Sequence, residues 1–190
     1  RICEDNANIK GVVRVSKVTV FSMDDFGEDI TKKYGTMGKI ILDCAGVEEK
    51  DGEVFEIFKK PEFPDFDDVT CVIISGSNYM MTDKPEFAMK ASKWLKEAAE
   101  RGIPILGICF GHQLLSYTFG GKVDWHPCGP QLKTITIEVT EEGEKDPIMG
   151  IMPEFFFANT GNSQSAVELP KDAVIIAKSE NEPHASFRLG

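Results

Sequence analysis

No stretch of the 190-residue sequence approaches the roughly 20 consecutive apolar residues that span a bilayer. The opening "RICEDNANIKGVVRVSK" lacks the long apolar core of a signal peptide, and the chain begins with Arg rather than Met. Cysteine is thinly spread. Cys3, Cys44, Cys71, Cys109 and Cys128 are odd in number and form no CxxC pair, so neither a disulfide framework nor a zinc site is indicated. A reducing, cytoplasmic compartment is the expectation. Positive charge is in deficit: 21 Lys and Arg stand against 31 Asp and Glu, a net charge of −10. That balance argues against a nucleic-acid or anionic-membrane surface. There is no P-loop pattern, no internal repeat and no low-complexity tract. Histidine is scarce, with only His112, His126 and His184.

What is present suits one globular domain: 42 % of residues are hydrophobic, over a length that can bury a sizeable core. "VTVF" (18–21) reads as a buried strand, followed by an acidic turn and a short helix up to "KKYG". "KIILDC" (39–44) and "EVFEIF" (53–58) read as further strands, and "PEFPDFDD" (61–68) as a connection. The continuous apolar run "TCVIIS" (70–75) marks a strand covered on both faces. Pro85 to Arg101 is the strongest helix. Asp83 is its expected N-cap, Gly102 closes it, and Phe87, Ala91, Leu95 and Ala98 form a core-facing stripe. "IPILGI" (103–108) is another buried strand, and residues 110–119 a helix stopped by Gly120 and Gly121. This alternation implies a doubly wound α/β core with a mostly parallel sheet. After residue 121, "LKTITIEVT", "SAVELP" and "AVIIAKS" are strands without long helices between them, an antiparallel extension.

The chemistry concentrates at Gly107-Ile108-Cys109-Phe110-Gly111, the thiol form of the G-x-S-x-G nucleophile elbow. A residue on such a strand-to-helix turn projects at the carboxyl end of the sheet, where open α/β folds bind ligands. The helix that follows offers free N–H groups and a positive dipole end, which favour a thiolate. The Phe110 amide would face the oxyanion of a tetrahedral intermediate. "VIISGSNYM" (72–80) is a buried strand ending in a small-residue loop, where Gly76 and Ser77 could supply a second N–H. The plain alternatives are a small buried Cys at a tight turn and an ordinary loop after a strand.

"PILGICFGHQLL", preceded by "VIISGS" and followed by "GGKV" and "GPQLKTITIEV", resembles the class I (triad-type) glutamine amidotransferases across residues 18–190. "KKYGTMGKIIL" and "GICFGHQ" are most similar to the branch with GMP-synthase-like domains and γ-glutamyl peptidases. The resemblance implies a flavodoxin-like domain: an open, mostly parallel sheet with helices on both faces, plus the antiparallel extension. Residues 1–17 would be an N-terminal extension. It also implies hydrolysis of the γ-glutamyl amide of glutamine or a γ-glutamyl peptide, with release of glutamate and ammonia or an amine. Cys109 would form the thioester, and Phe110 with Gly76 and Ser77 the oxyanion hole. Gln113 and Gly111 would lie against the substrate. No cofactor or metal is implied. With no synthetase domain in the chain, an ammonia acceptor would be a separate subunit, and a peptidase would need none.

The sequence departs from the family in three places. Ser77 stands where many members have a second glycine. In "FFANTGNSQSAVELP", Asn162 stands where many have the His of an H-x-D-x-V stretch. The family's general base is a His in an "HPE" motif, with the Glu orienting it, and no HPE occurs here. "NEPHASFRLG" resembles the segment just before the strand that carries it, so His184 matches the base poorly. His126 matches no catalytic position, and His112 reads as a packing or surface contact. Two expectations cover the gap: the domain continues into a strand bearing His and Glu, or it is a degenerate binding or regulatory module.

Overall fold

A computed structural model of the protein describes residues 16–190. The proposed N-terminal extension therefore lies almost wholly outside the described residues. The core is a four-stranded parallel sheet in the order β2-β1-β3-β4. Its strands are β1 (Lys17–Ser22), β2 (Gly52–Glu56), β3 (Val69–Ile74) and β4 (Ile105–Gly107). Alternate residues of each strand face opposite ways, and the packing divides accordingly. Val20 and Ile73 meet Leu42 on one face. Phe21, Val72 and Ile74 meet Leu95, Phe110 and Leu114 on the other.

The helices follow from that division. α1 (Glu28–Tyr34) and α2 (Met37–Cys44) form the β1-to-β2 crossover, with α2 against the first face. α3 (Glu86–Glu100) and α4 (Phe110–Thr118) cover the second. The α3 stripe Phe87, Ala91, Leu95 and Ala98 is buried throughout. Gly102 takes φ +75° and the N–H of Ile103 returns to the Ala98 carbonyl, a Schellman close.

Three local expectations need correction. β4 is not a buried strand: it stands at the edge of the sheet, and Leu106 is half exposed. Residues 39–44 are helix, not strand. A parallel β1–β2 pair needs a crossover between its strands, and the Thr36 hydroxyl caps α2 by accepting the Lys39 N–H. Asp83 does not cap α3; it lies in a 3-10 turn over Met81–Asp83, and Pro85 takes the N-cap position without a side-chain bond.

The antiparallel part is larger than the sequence suggests. β6 (Gln131–Val139), β7 (Phe155–Asn162), β9 (Val174–Lys178) and β10 (Ser186–Arg188) form a sheet in the order β10-β9-β6-β7. β5 (Lys122–Trp125) pairs with β8 (Gln164–Glu168) beside α4. A one-turn helix, α5 (Glu141–Glu144), packs on β9. β7 runs alongside β6 over eight residue pairs, from Glu138↔Phe155 to Gln131↔Asn162. This register carries Thr160, Gly161 and Asn162 to the carboxyl end of the parallel sheet, opposite β4. Among the described residues no helix is long and apolar enough to cross a membrane.

Candidate active site

Cys109 sits between β4 and α4 with φ +53° and ψ −104°, a backbone conformation that L-residues avoid. The turn is pinned on both sides. The Ile108 N–H donates to the Ile74 carbonyl at 2.9 Å, and the Gly111 N–H to Ile108 and Ser75 carbonyls at 2.9 and 3.2 Å. Both flanking glycines are sterically required. A Cβ on Gly107 would lie 2.5 Å from the Gly111 carbonyl group, and one on Gly111 would lie 2.6 Å from the Ile74 carbonyl oxygen. The elbow thus stacks α4 directly against the ends of β3 and β4.

The residues singled out from the sequence converge on this sulfur. The main-chain N–H groups of Phe110 and Ser77 both reach it. Gly76 is so close that a Cβ there would be 3.8 Å from Sγ. Sγ also lies 3.8 Å from the Gly161 carbonyl oxygen of β7. The Phe110 side chain points away, into the core against Phe87. Gln113 is buried, its Nε2 donating to the Gln164 carbonyl at 2.9 Å. Cys109 and Gln113 line a cavity of about 370 Å³, closed on its far side by Ile135, Ile137 and the end of β7.

The electrostatics differ from the expectation of a depressed thiol. Removal from water pushes the Cys109 thiol up from its ordinary value, and the Phe110 and Ser77 amides only partly counter this. The residue keeps an exposed surface, but the sulfur rests against protein on its inner side. At neutral pH Cys109 is therefore a thiol, and attack from it requires a base. Among the described residues no imidazole hydrogen-bonds the sulfur.

The placement of the histidines has no local signal in the sequence. All three gather around Glu182, and His112, His184 and Glu182 line the same cavity as Cys109. His126 is 4 % exposed; its Nδ1 accepts the Cys128 N–H, which leaves Nε2 facing Glu182 Oε2 at 3.7 Å. The His184 N–H donates to Glu182 Oε1 at 3.4 Å. The ring Nδ1 of His184 is 2.6 Å from the Ala166 carbonyl oxygen. A carbonyl can only accept, so that Nδ1 carries the proton. His112 packs on Phe187 of β10 at 4.8 Å between ring centres, and its Nε2 is buried without a partner. Burial pushes its imidazole below the usual value, and the nearby Glu182 charge opposes that shift. Among the described residues no three His, Cys, Asp or Glu side chains are arranged to hold a metal ion.

The fold that carries this elbow corresponds to a known family. The model of the family described as Glutamine amidotransferase class-I matches residues 31–188. The chain belongs to that family. Relatives of the chain include γ-glutamyl peptidase 4 of Arabidopsis thaliana, 28 % identical over 86 % of this chain and 66 % of that protein. A glutamine-hydrolysing GMP synthase of Porphyromonas gingivalis is 31 % identical over 72 % of this chain and 25 % of its own length. Among solved structures, a glutamine amidotransferase from Thermotoga maritima superposes with a TM-score of 0.73 at 19 % identity, over 91 % of this chain and 72 % of that one. One from Methylobacillus flagellatus gives 0.73 at 15 % identity, over 92 % and 66 %. These likenesses establish the flavodoxin-like α/β fold. The chain spans just under two thirds of γ-glutamyl peptidase 4 and a quarter of the GMP synthase.

Proposed function

We propose that this amidotransferase-family protein hydrolyses the γ-glutamyl amide of glutamine or of a γ-glutamyl peptide through a thioester on Cys109. One observation carries the reading: Cys109 is held at an unfavourable positive φ while two amides, of Phe110 and Ser77, converge on its sulfur. Strain of this kind persists where the surrounding structure enforces it, which is a mark of functional sites. Two N–H groups beside a nucleophile are the equipment for a tetrahedral oxyanion. Ser77 in place of glycine does not spoil this, because the donor is its main-chain N–H.

In the proposed reaction a general base takes the Cys109 proton, the thiolate adds to the amide carbonyl, and the oxyanion is held by the Phe110 and Ser77 amides; the family resemblance implies a His for that base, and no described imidazole bonds the sulfur. Collapse expels ammonia or an amine, which takes up the proton the thiol gave up. Water then cleaves the thioester to release glutamate and restore the thiol. Gln113 and Gly111 would form the wall beside the substrate, with Gln113 Oε1 left to accept from an ammonium group. The glutamine-hydrolysing relatives support a separate synthetase subunit as ammonia acceptor. The peptidase relatives support a stand-alone role.

The full-length protein should release glutamate from glutamine or from a γ-glutamyl peptide, and Cys109→Ala should abolish it. Hydrolysis of neither substrate by the full-length protein would overturn the reading. One observation favours the alternative, a non-catalytic binding module: the thiol is raised and no described imidazole bonds it. That alternative predicts glutamine binding with no trapped thioester.

A further inference from the structure

The Ser77 amide belongs to the irregular segment between β3 and α3, so its position depends on what ties that segment down. At its start, the Ser75 hydroxyl donates to the Gly76 carbonyl at 2.8 Å, and Asp24 Oδ2 accepts the Asn78 N–H at 2.7 Å. At its end the tie comes from far along the chain. Gln164, at the start of β8, is 2 % exposed. Its Oε1 accepts the Met81 and Thr82 N–H groups at 2.9 and 3.3 Å, and its Nε2 donates to Thr82 Oγ1 at 2.6 Å. The same residue's carbonyl accepts from Gln113 Nε2 at 2.9 Å and Asn162 Nδ2 at 3.1 Å. One buried residue thus joins the segment carrying the Ser77 amide to the helix that starts at Cys109.

We propose that Gln164 is a positioning residue for the oxyanion pocket: through Met81 and Thr82 its side chain sets the Ser77 N–H against the Cys109 sulfur. The proposal rests on reading Cys109 as the nucleophile. A buried carboxamide is costly unless bonded. Here every bond of the side chain goes to one short segment, across 82 or 83 sequence positions. An apolar side chain of the same size would fill the space and leave that segment free to shift relative to α4. The main-chain bond to Gln113 would survive such a change, so the substrate wall would stay in place.

The test is Gln164→Met in the full-length protein, with glutamine and γ-glutamyl-p-nitroanilide as substrates. kcat should fall about 10- to 100-fold, the scale of a small misplacement of a catalytic group, with KM nearly unchanged. Alkylation of Cys109 by iodoacetamide, measured over a Cys109→Ala background, should slow far less than hydrolysis, because it loses only the Ser77 amide's pull on the thiol titration. That reaction forms an S–C bond and releases iodide at a saturated carbon, with no oxyanion to hold. Unchanged hydrolysis overturns the proposal. So does a parallel fall in hydrolysis and alkylation, which marks a purely structural role. Thr82→Val removes only the Nε2 partner; it should lower kcat in the same sense by a smaller factor, and it decides the matter if Gln164→Met does not fold. Inactivity of the wild type on both substrates overturns the hydrolase reading itself, whereas an active wild type with indifferent variants overturns the role of Gln164 alone.

Discussion

Replacing Cys109 by glycine should make the protein more stable than replacing it by alanine. In ordinary helix or strand positions the order is the reverse, because glycine loses about 0.5–1 kcal/mol more chain entropy on folding. At Cys109 the backbone sits at φ +53°, ψ −104°, and any side chain with a Cβ pays to stay there. Strain of this class costs about 1–3 kcal/mol. Alanine keeps all of it and glycine relieves it, so the net advantage of glycine is up to about 2.5 kcal/mol, and about 1 kcal/mol at the middle of both ranges. Both variants lose the sulfur, so its packing cancels in the comparison. For a domain of this size each kcal/mol is worth about 2–4 °C in Tm. Calorimetry or denaturant unfolding of the two variants reads the difference directly. Ala99→Gly in α3 serves as the control and should lose about 1 kcal/mol. If Cys109→Gly is no more stable than Cys109→Ala, the elbow is not strained and the argument from strain to function fails with it.

Three further outcomes follow from the same geometry. Gly111→Ala would place a Cβ 2.6 Å from the Ile74 carbonyl oxygen, a main-chain atom, so thermal unfolding should show a loss of at least about 1–3 kcal/mol and Cys109 reactivity should change with it. Alkylation of Cys109 should quicken with pH up to and beyond the ordinary thiol range, since burial raises its titration; a plateau already reached near neutrality would reveal an imidazolium partner and refute this. His112 is depressed by burial, so the unfolded chain takes up its proton first as pH falls through the ordinary histidine value of 6.5. Its contribution to stability is present above that value and is lost as the pH drops towards the folded-state titration. His112→Asn should flatten this part of the stability profile, and an unchanged slope would count against the buried neutral ring.

The parts of the fold that sequence reading recovers are those with local signals. The apolar runs at β1, β3 and β4 and the stripe of α3 declare themselves by period. The elbow declares itself because two glycines flank a cysteine between a strand and a helix. α2 was hidden because Ile40, Ile41 and Leu42 look like strand when taken alone. What decides them is non-local: a Cβ on Gly38 would lie 2.3 Å from Val54 Cγ1, a contact that exists only once β2 is in place. β7 was hidden for a similar reason. Its Asn159, Gly161 and Asn162 are turn formers by habit, and pairing with β6 overrides that habit. The gathering of His112, His126 and His184 around Glu182 has no sequence signal, since the residues come from three separate elements. Gln164 is likewise a single polar residue at a strand start until its partners at Met81 and Thr82 are seen.

A sulfur kept as the neutral thiol is also slow to react with peroxide, because oxidation, like alkylation, proceeds through the thiolate. The elbow that presents Cys109 to a cavity also keeps it protonated there. The raised titration thus lowers the fraction of Cys109 open to oxidation at a given pH, compared with a thiol held ionised in the same elbow.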